Sequence, residues 1–322
     1  MNSLASALLS STSLRDRLAS RLDQLDADRS DLASALTLQR QLLGRQIDLL
    51  DALVQSGVPG LSRPRRYVAA KLRNGIPALH GEPVPLPAPL LTLALRDFCA
   101  RLSSGATAET MAALVKAIDV GQLDPAGVLS ACFGRDQHRV RHAAAHAAVS
   151  AELLWLVAEL ALAPFAHLLR LQLFERWKSQ PTTDQPAFDD VEDPVADALA
   201  HWDRGFCPAC GSWPALLEAG AHGHTLRCSF CANGWELLGY HCLYCGNDGQ
   251  DFITAAADPE QPGRRLQLCG ACGGYVKALE MDEPSTFPLV AIEDLASLDL
   301  DMAAIERNYV RPALPDIRKR PG

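Results

Sequence analysis

The chain has 322 residues, of which 48% are hydrophobic and 21% charged, and its formal net charge is −8 at pH 7. A core rarely organises more than roughly 100–200 residues, so the length suggests two domains, and the apolar share is too high for a disordered chain. The acidic balance excludes a chain-wide basic footprint for nucleic acid.

Residues 1 to 12 are small and polar and read as frayed, without the basic n-region of a signal peptide, so the cytoplasm is the expected compartment. From Ser13 to Val54 apolar residues recur every three to four positions (Leu18, Leu22, Leu25, Leu32, Leu36, Leu42, Ile47, Leu50), which predicts two helices with a break between Arg21 and Asp28. Ser56 to Pro64 reads as a loop, and residues 65–74 as a short basic helix. Prolines from Pro77 to Pro89 predict an extended stretch beginning at Gly75. Helical periodicity resumes from Leu90 to Lys178, with breaks at Ser103–Gly105, Asp119–Asp124 and Phe133–Gly134 and a kink or boundary at Pro164. The most apolar stretch, Ala143 to Leu173, carries Glu152, Glu159, His167 and Arg170. It reads as a core helix, because a membrane span needs about 20 nearly uncharged residues. No membrane insertion is expected.

Ser179 to Pro194 (SQPTTDQPAFDDVEDP) is polar, acidic and proline-bearing, the composition of a linker. Residues 195–202 read as a short helix, Thr225–Arg227 and Trp235–Leu238 as strand-like, and Tyr275 to Leu279 as a strand. Ile292 to Arg307 reads as an amphipathic helix, and Arg311 to Gly322 as a loose basic tail. The expected division is a helical domain over 1–178, a linker over 179–194, a metal-binding region over 195–283, and a helix with tail over 284–322.

Eight of the ten cysteines fall in four C-x-x-C pairs: Cys207/Cys210, Cys228/Cys231, Cys242/Cys245 and Cys269/Cys272, separated by 17, 10 and 23 residues. Thiols in a reducing compartment rarely rest as disulfides, so dense pairs read as metal ligands. Each turn aims two thiolates at one point, and two turns complete a tetrahedral site for zinc or a single iron. Sequential pairing of the turns closes the shorter loops and is favoured over an interleaved one. It gives two mononuclear sites, Cys207/Cys210/Cys228/Cys231 and Cys242/Cys245/Cys269/Cys272.

Gly211, Gly246 and Gly273 follow the second cysteine of their pairs, where glycine accepts a left-handed backbone, whereas Ala232 at the equivalent place is less permissive. A region with so few large apolar side chains is marginal alone, and a structural ion supplies on the order of 10–16 kcal/mol of apparent binding free energy. The ions could serve as structural staples, as rubredoxin-like iron, or be replaced by dithiol exchange chemistry.

Longer strings surround the pairs: CPACGSWP at 207–214, LRCSFCANGW at 226–235, HCLYCG at 241–246, CGACGGYVK at 269–277 and EDLASLDLDMAAIERNYVRP at 293–312. In this order they resemble the FdhE family, accessory proteins of formate dehydrogenase maturation, firmly over residues 205–312 and loosely over the helical half. Two positions depart from the family pattern: Asn308 precedes Tyr309 where Gly-Tyr is common, and Gly239 stands in a stretch that often carries arginine.

The resemblance implies an assembly factor rather than an enzyme. It would bind the catalytic subunit of a respiratory formate dehydrogenase in the cytoplasm and hold iron in rubredoxin-like sites through the eight cysteines; whether it does so as a monomer or a homodimer is open. The expected fold class is α+β, with an all-helical N-terminal domain, two small rubredoxin-like or zinc-ribbon modules and a C-terminal helix.

Other residues carry less. His138, His142 and His146 share one helix face and read as polar surface; His222, His224 and His241 could replace a ligand, but four sulfurs already complete each site. Cys99 and Cys132 read as buried small hydrophobes, and Trp213, Trp235 and Tyr275 as packing over the metal sites. Arg63, Arg65 and Arg66 read as solvated surface. No P-loop, G-x-S-x-G or H-E-x-x-H string supports catalysis. Two competing functions remain: a rubredoxin-type one-electron carrier, and a nucleic-acid-binding zinc ribbon. The second is disfavoured by five Lys/Arg against eight Asp/Glu between His201 and Met281.

Overall fold

The computed structural model describes residues 11–57, 63–174, 193–220, 223–312 and 314–315. The expected linker, apart from Asp193 and Pro194, lies outside the described residues, as do residues 1–10 and the end of the basic tail. In chain order the helices are α1 (Ser11–Asp28), α2 (Ala33–Ser56), α3 (Arg65–Arg73), α4 (Ala88–Leu102), α5 (Ala108–Asp119), α6 (Pro125–Phe133), α7 (Gln137–His146), α8 (Ala151–Phe174) and α9 (Pro194–Ala200). Six strands follow: β1 (Pro214–Gly220), β2 (Gly223–Cys228), β3 (Gly234–Trp235), β4 (Phe252–Ala256), β5 (Arg264–Cys269) and β6 (Tyr275–Glu280). Helices α10 (Val290–Ala296) and α11 (Leu298–Ile305) close the chain. The chain divides into two compact units, one within Met1–Leu61 and Gly81–Gln172, the other within Ser62–His80 and Leu173–Gly322.

Every regular element described in the first unit is a helix. Leu14, Leu18, Leu22 and Leu25 bury one face of α1, and Leu36, Leu43, Ile47 and Leu50 a matching face of α2. The break between them falls at Arg29, just past the expected Arg21–Asp28. Cys99 and Cys132 are buried in this unit, where desolvation pushes both thiols up, Cys99 to about 11. Helix α8 is long and apolar enough to cross a membrane by composition, but most of its most apolar stretch is buried within the unit.

Pro164 does not end α8, which runs unbroken from Ala151 to Phe174. A proline inside a helix has no N–H to donate to the carbonyl four residues earlier, here that of Leu160. The buried side chain of Gln46 on α2 makes up the loss: its Nε2 donates to the Leu160 carbonyl at 3.0 Å. The proline is tolerated because another helix supplies the missing donor.

The second unit differs from the expected division in three ways. Helix α3 and residues 74–80 belong to it, although they precede most of the helical unit in sequence. The α3 cations explain this. Arg65 Nε donates to Asp193 Oδ1 at 2.7 Å, and Asp193 also caps α9 by accepting from Val195 N–H, while Arg73 pairs with Asp197 at 2.7 Å. Arg65 is therefore committed to α9 rather than left as solvated surface.

Secondly, all six strands form one sheet in the order β3-β2-β1-β6-β5-β4, so the two expected modules share a sheet. β1 and β6 are parallel, with Leu216 opposite Lys277, and every other neighbouring pair is antiparallel. The strand expected over 235–238 contributes only Gly234–Trp235.

Thirdly, the helix expected over Ile292–Arg307 is two helices, broken at Ser297. Ser297 Oγ donates to the carbonyls of Glu293 and Asp294, and Lys277 Nζ also takes the Asp294 carbonyl, at 2.6 Å. A carbonyl that would continue the helix is thus held by two other donors. Lys277 is fully buried on β6 and also meets Asp294 Oδ1 at 2.7 Å and Asp301 Oδ2 at 2.8 Å. Arg311 pairs with the same two carboxylates, and Tyr275 donates to Asp301. Burial alone would raise the Asp294 carboxyl, but Arg311 and Lys277 hold it below the usual range. This network binds α10 and α11 to the sheet. Helix α11 ends with Asn308 left-handed (φ 64°) and Tyr309 N–H on the Ala304 carbonyl, a Schellman closure that glycine or asparagine can make.

Two tests follow from these contacts. Gln46→Leu leaves the Leu160 carbonyl unpaired and is expected to destabilise the helical unit by about 1–3 kcal/mol in chemical denaturation. In a Pro164→Ala background, where residue 164 regains its N–H, the same substitution should cost clearly less. Lys277→Met strips a buried cation from two carboxylates and should destabilise the second unit by about 3–5 kcal/mol, whereas Arg265→Ala at an exposed 3.8 Å pair should change stability by under about 1 kcal/mol.

Candidate metal centre

The strand directions decide where the cysteines meet. Cys207/Cys210 precede β1 and Cys228 ends β2, its antiparallel neighbour, so Pro214 lies opposite Cys228. Cys269 ends β5 opposite Phe252, where β4 begins shortly after Cys242/Cys245, and Cys272 immediately precedes β6. Because β1 and β6 run parallel, all four pairs gather at the same end of the sheet.

Each pair is built by the same turn. The N–H of the first cysteine donates to the carbonyl five residues later: Cys207 to Ser212, Cys228 to Asn233, Cys242 to Asn247 and Cys269 to Gly274, at 2.8–3.0 Å. The residue after the second cysteine is left-handed in all four, with φ of 79° at Gly211, 56° at Ala232, 77° at Gly246 and 69° at Gly273. The expectation drawn from the three glycines holds, and the fourth turn imposes the same conformation on an alanine. Gly211, Gly246 and Gly273 close their turns by donating to the first cysteine's carbonyl.

The sulfurs assemble as two groups, Cys207/Cys210/Cys228/Cys231 and Cys242/Cys245/Cys269/Cys272, each with all its sulfurs within 4.8 Å of one another. This is the sequential grouping. Sγ–Sγ distances are 3.7 Å for Cys207–Cys231, 3.4 Å for Cys210–Cys228, and 3.7 Å for both Cys242–Cys272 and Cys245–Cys269. Disulfide sulfurs would lie about 2.05 Å apart. A tetrahedron with metal–sulfur bonds of about 2.3 Å has edges of about 3.8 Å. The donor set and spacing therefore fit a thiolate-bound ion and not a pair of disulfides.

Burial and the crowding of the sulfurs shift the thiols from their ordinary values. Burial raises Cys207 and Cys231 well above an ordinary thiol; at Cys207 the neighbouring thiols add to this, and at Cys231 the Cys207 contact opposes it while Cys210 and Cys228 add to it. Burial also raises Cys272 to about 11. Cys269 is raised by burial, but the Cys272 N–H and the thiols of Cys242 and Cys245 outweigh it and bring it down to about 7. Four clustered sulfurs cannot all be anionic without a counter-charge, so an entering ion displaces protons.

Aromatic packing joins the two groups. Trp213, just after the first pair, stands edge-on to Tyr244, inside the third pair, at 4.8 Å and to Phe206 at 6.1 Å. Tyr244 donates to the Tyr275 carbonyl at 2.8 Å. Trp235 and Tyr275 are buried as well. A Cβ on Gly205 would lie 2.0 Å from the Leu243 carbonyl, so only glycine permits this approach of the first pair to the third. His224 and His241 join neither sulfur group, and His222 lies outside the described residues.

Two contributors carried no local signal. Ala78 and Leu79 donate backbone hydrogen bonds to the Pro208 and Ala209 carbonyls, inside the first C-x-x-C, at 2.8 and 2.9 Å. Lys71 Nζ holds this segment through the carbonyls of Ala78 and His80. Val310 donates to the Gly273 carbonyl beside the fourth pair.

A helical unit and a sheet carrying two four-cysteine groups at one end define the class: a two-unit protein with paired C-x-x-C knuckles that could hold two metal ions. No family model matches the chain. Among curated proteins it is 28% identical over 132 residues to an FdhE homologue of Aquifex aeolicus, covering 39% of this chain and 46% of that one. It is 33% identical over 115 residues to an FdhE homologue of Edwardsiella ictaluri and 31% identical over 115 residues to FdhE of Escherichia coli O127:H6, covering 34% of this chain and 37% of each relative. The matches thus span less than half the length of these curated relatives. The crystal structure of the FdhE protein from Pseudomonas aeruginosa superposes with a TM-score of 0.53 and 22% identity, covering 94% of this chain and 95% of that one, which shows a shared fold. Over about a third of its length the chain is thus similar in sequence to FdhE proteins, and it shares the fold of the Pseudomonas aeruginosa FdhE protein.

The repeated turn gives a paired test. A Cβ on Gly273 would meet nothing within 4 Å, so Gly273→Ala isolates the left-handed backbone and should destabilise the second unit by about 1–2 kcal/mol. Ala232→Gly relieves the same constraint, and its melting temperature should not fall.

Proposed function

We propose that this chain is an accessory factor in the assembly of a formate dehydrogenase. It engages the catalytic subunit in the cytoplasm and holds two mononuclear ions, iron or zinc. In this reading Cys207, Cys210, Cys228 and Cys231 bind one ion, and Cys242, Cys245, Cys269 and Cys272 the other. The helical unit, the metal-bearing sheet and the C-terminal helices then act as parts of a binding protein rather than of an enzyme. The supporting observation is that two sulfur groups of tetrahedral dimensions occur in a chain that is similar to FdhE proteins over about a third of its length. A thiolate-bound ion supplies a cross-link at the sheet end and, if it is iron, a one-electron couple.

The chain's own residues do the rest. The four turns orient the sulfurs, the Lys277–Asp294–Asp301–Arg311 network fixes β6, and Trp213 packs edge-on against Tyr244 between the first and third pairs. The solvent-facing Cys272 favours a second reading, that of a rubredoxin-type electron carrier. That reading requires turnover with a reductase and an acceptor.

Elemental analysis of anaerobically purified protein should find two ions of iron or zinc per chain. Used as bait in anaerobic extract, the intact protein should retain the large subunit of a molybdenum- or tungsten-dependent formate dehydrogenase, and the Cys207→Ala/Cys210→Ala variant should retain less. Recovery of nucleic acid, or no formate dehydrogenase subunit on the intact bait, would overturn the proposal.

A further inference from the structure

The two sulfur groups share a turn but not an environment. In the first, Cys207, Cys228 and Cys231 are 0% exposed and Cys210 6%. Phe206, Phe230 and Trp235 are buried in the same region, and residues 78–79 strap the first turn from a distant part of the sequence. In the second group Cys242 and Cys269 are buried, Cys245 is half-buried and Cys272 is exposed. Gly270 and Ala271, which complete that last turn, are exposed with it. That turn is held by Gly270 N–H on the Asp251 carbonyl at 2.7 Å and by Val310 N–H on the Gly273 carbonyl at 2.8 Å, and Val310 is itself 58% exposed.

Resting on the ligand assignment proposed above, we infer that the two sites divide their work: the first is a closed structural site, and the second exchanges its ion with incoming thiolate donors at the Cys272 corner. Ligand substitution at a thiolate site needs an approach path for the incoming donor and a leaving path for the displaced one, and the surrounding shell controls both. Cys272 offers both paths, and no cysteine of the first group is comparably open. With an ion bound, the bond from an incoming thiol's sulfur would replace the bond from Cys272 Sγ, and the displaced Cys272 thiolate would take the proton that the incoming thiol gives up. No electron is transferred, so no oxidant or reductant is needed. The fitting ligand is a soft sulfur donor, such as glutathione or a cysteine side chain of another protein.

The test uses the full chain loaded with zinc to two ions. Release is followed with a chromogenic chelator, 4-(2-pyridylazo)resorcinol, with and without glutathione. Two equal phases are expected, the fast one at least about 10-fold faster than the slow one and accelerated by glutathione. Timed iodoacetamide labelling with peptide mapping should modify Cys269 and Cys272 during the fast phase and leave Cys207, Cys210, Cys228 and Cys231 unmodified. The Cys242→Ser/Cys245→Ser variant should hold one ion and show only the slow phase. Because the labelling is done on the wild-type chain, it decides the matter even if that variant misfolds. Release of both ions at one rate, or earlier labelling of the first group, overturns this inference and leaves the ligand assignment standing. Protein that takes up no zinc overturns both.

Discussion

The parallel pairing of β1 with β6 is the constraint on which the second unit depends. Each sulfur group is closed by antiparallel neighbours, β1 with β2 and β4 with β5, and each could in principle be an isolated hairpin module. Parallel pairing makes the two modules one sheet and brings their turns to one end, with Leu216 and Lys277 in register. A parallel pair cannot be closed by a tight hairpin and needs a long connection. Here that connection carries β2 to β5 and three of the C-x-x-C turns.

Beneath this pairing lies a buried cation. An ammonium group withdrawn from water destabilises a fold unless it is paired and fully hydrogen-bonded. Lys277 meets that condition with two carboxylates and the carbonyls of Asp294 and Ser297. The same contacts break the last helix at Ser297 and dock α10 and α11 on the sheet. Arg227 is similarly committed, to the buried Glu218, which also accepts from Ser285 N–H. These cations serve the interior of the unit rather than a surface for anions. The sulfur groups complete what this sheet alone would leave marginal, since its strands are short and one end consists of turns.

Several features were legible in the sequence because they are local. The helical periodicity of residues 13–54 reports which side of each helix is apolar, and Leu18, Leu22, Leu36 and Ile47 are buried accordingly. The C-x-x-C spacing reports two sulfurs on one turn, and the following glycine reports a left-handed backbone, since little else adopts it without strain. The breaks near Ser103, Asp119 and Gly134 coincide with helix ends. Of the kink or boundary expected at Pro164, the boundary is absent for a physical reason: the Leu160 carbonyl, which loses its helical donor, finds another in Gln46 on a different helix.

The sequence by itself determined the local chemistry: paired thiolates, their turns, the helical half and the family strings around the cysteines. Tertiary structure alone decided that the pairs group sequentially, that both groups share one end of one sheet, that α3 and residues 78–79 leave the helical half to cover the first group, and that Cys272 stays open to solvent. Spacing fixes what a turn can present to its immediate surroundings. Which strand lies beside which, and which distant segment covers a turn, depends on burial and hydrogen bonding between residues far apart in the chain, and no local pattern encodes that.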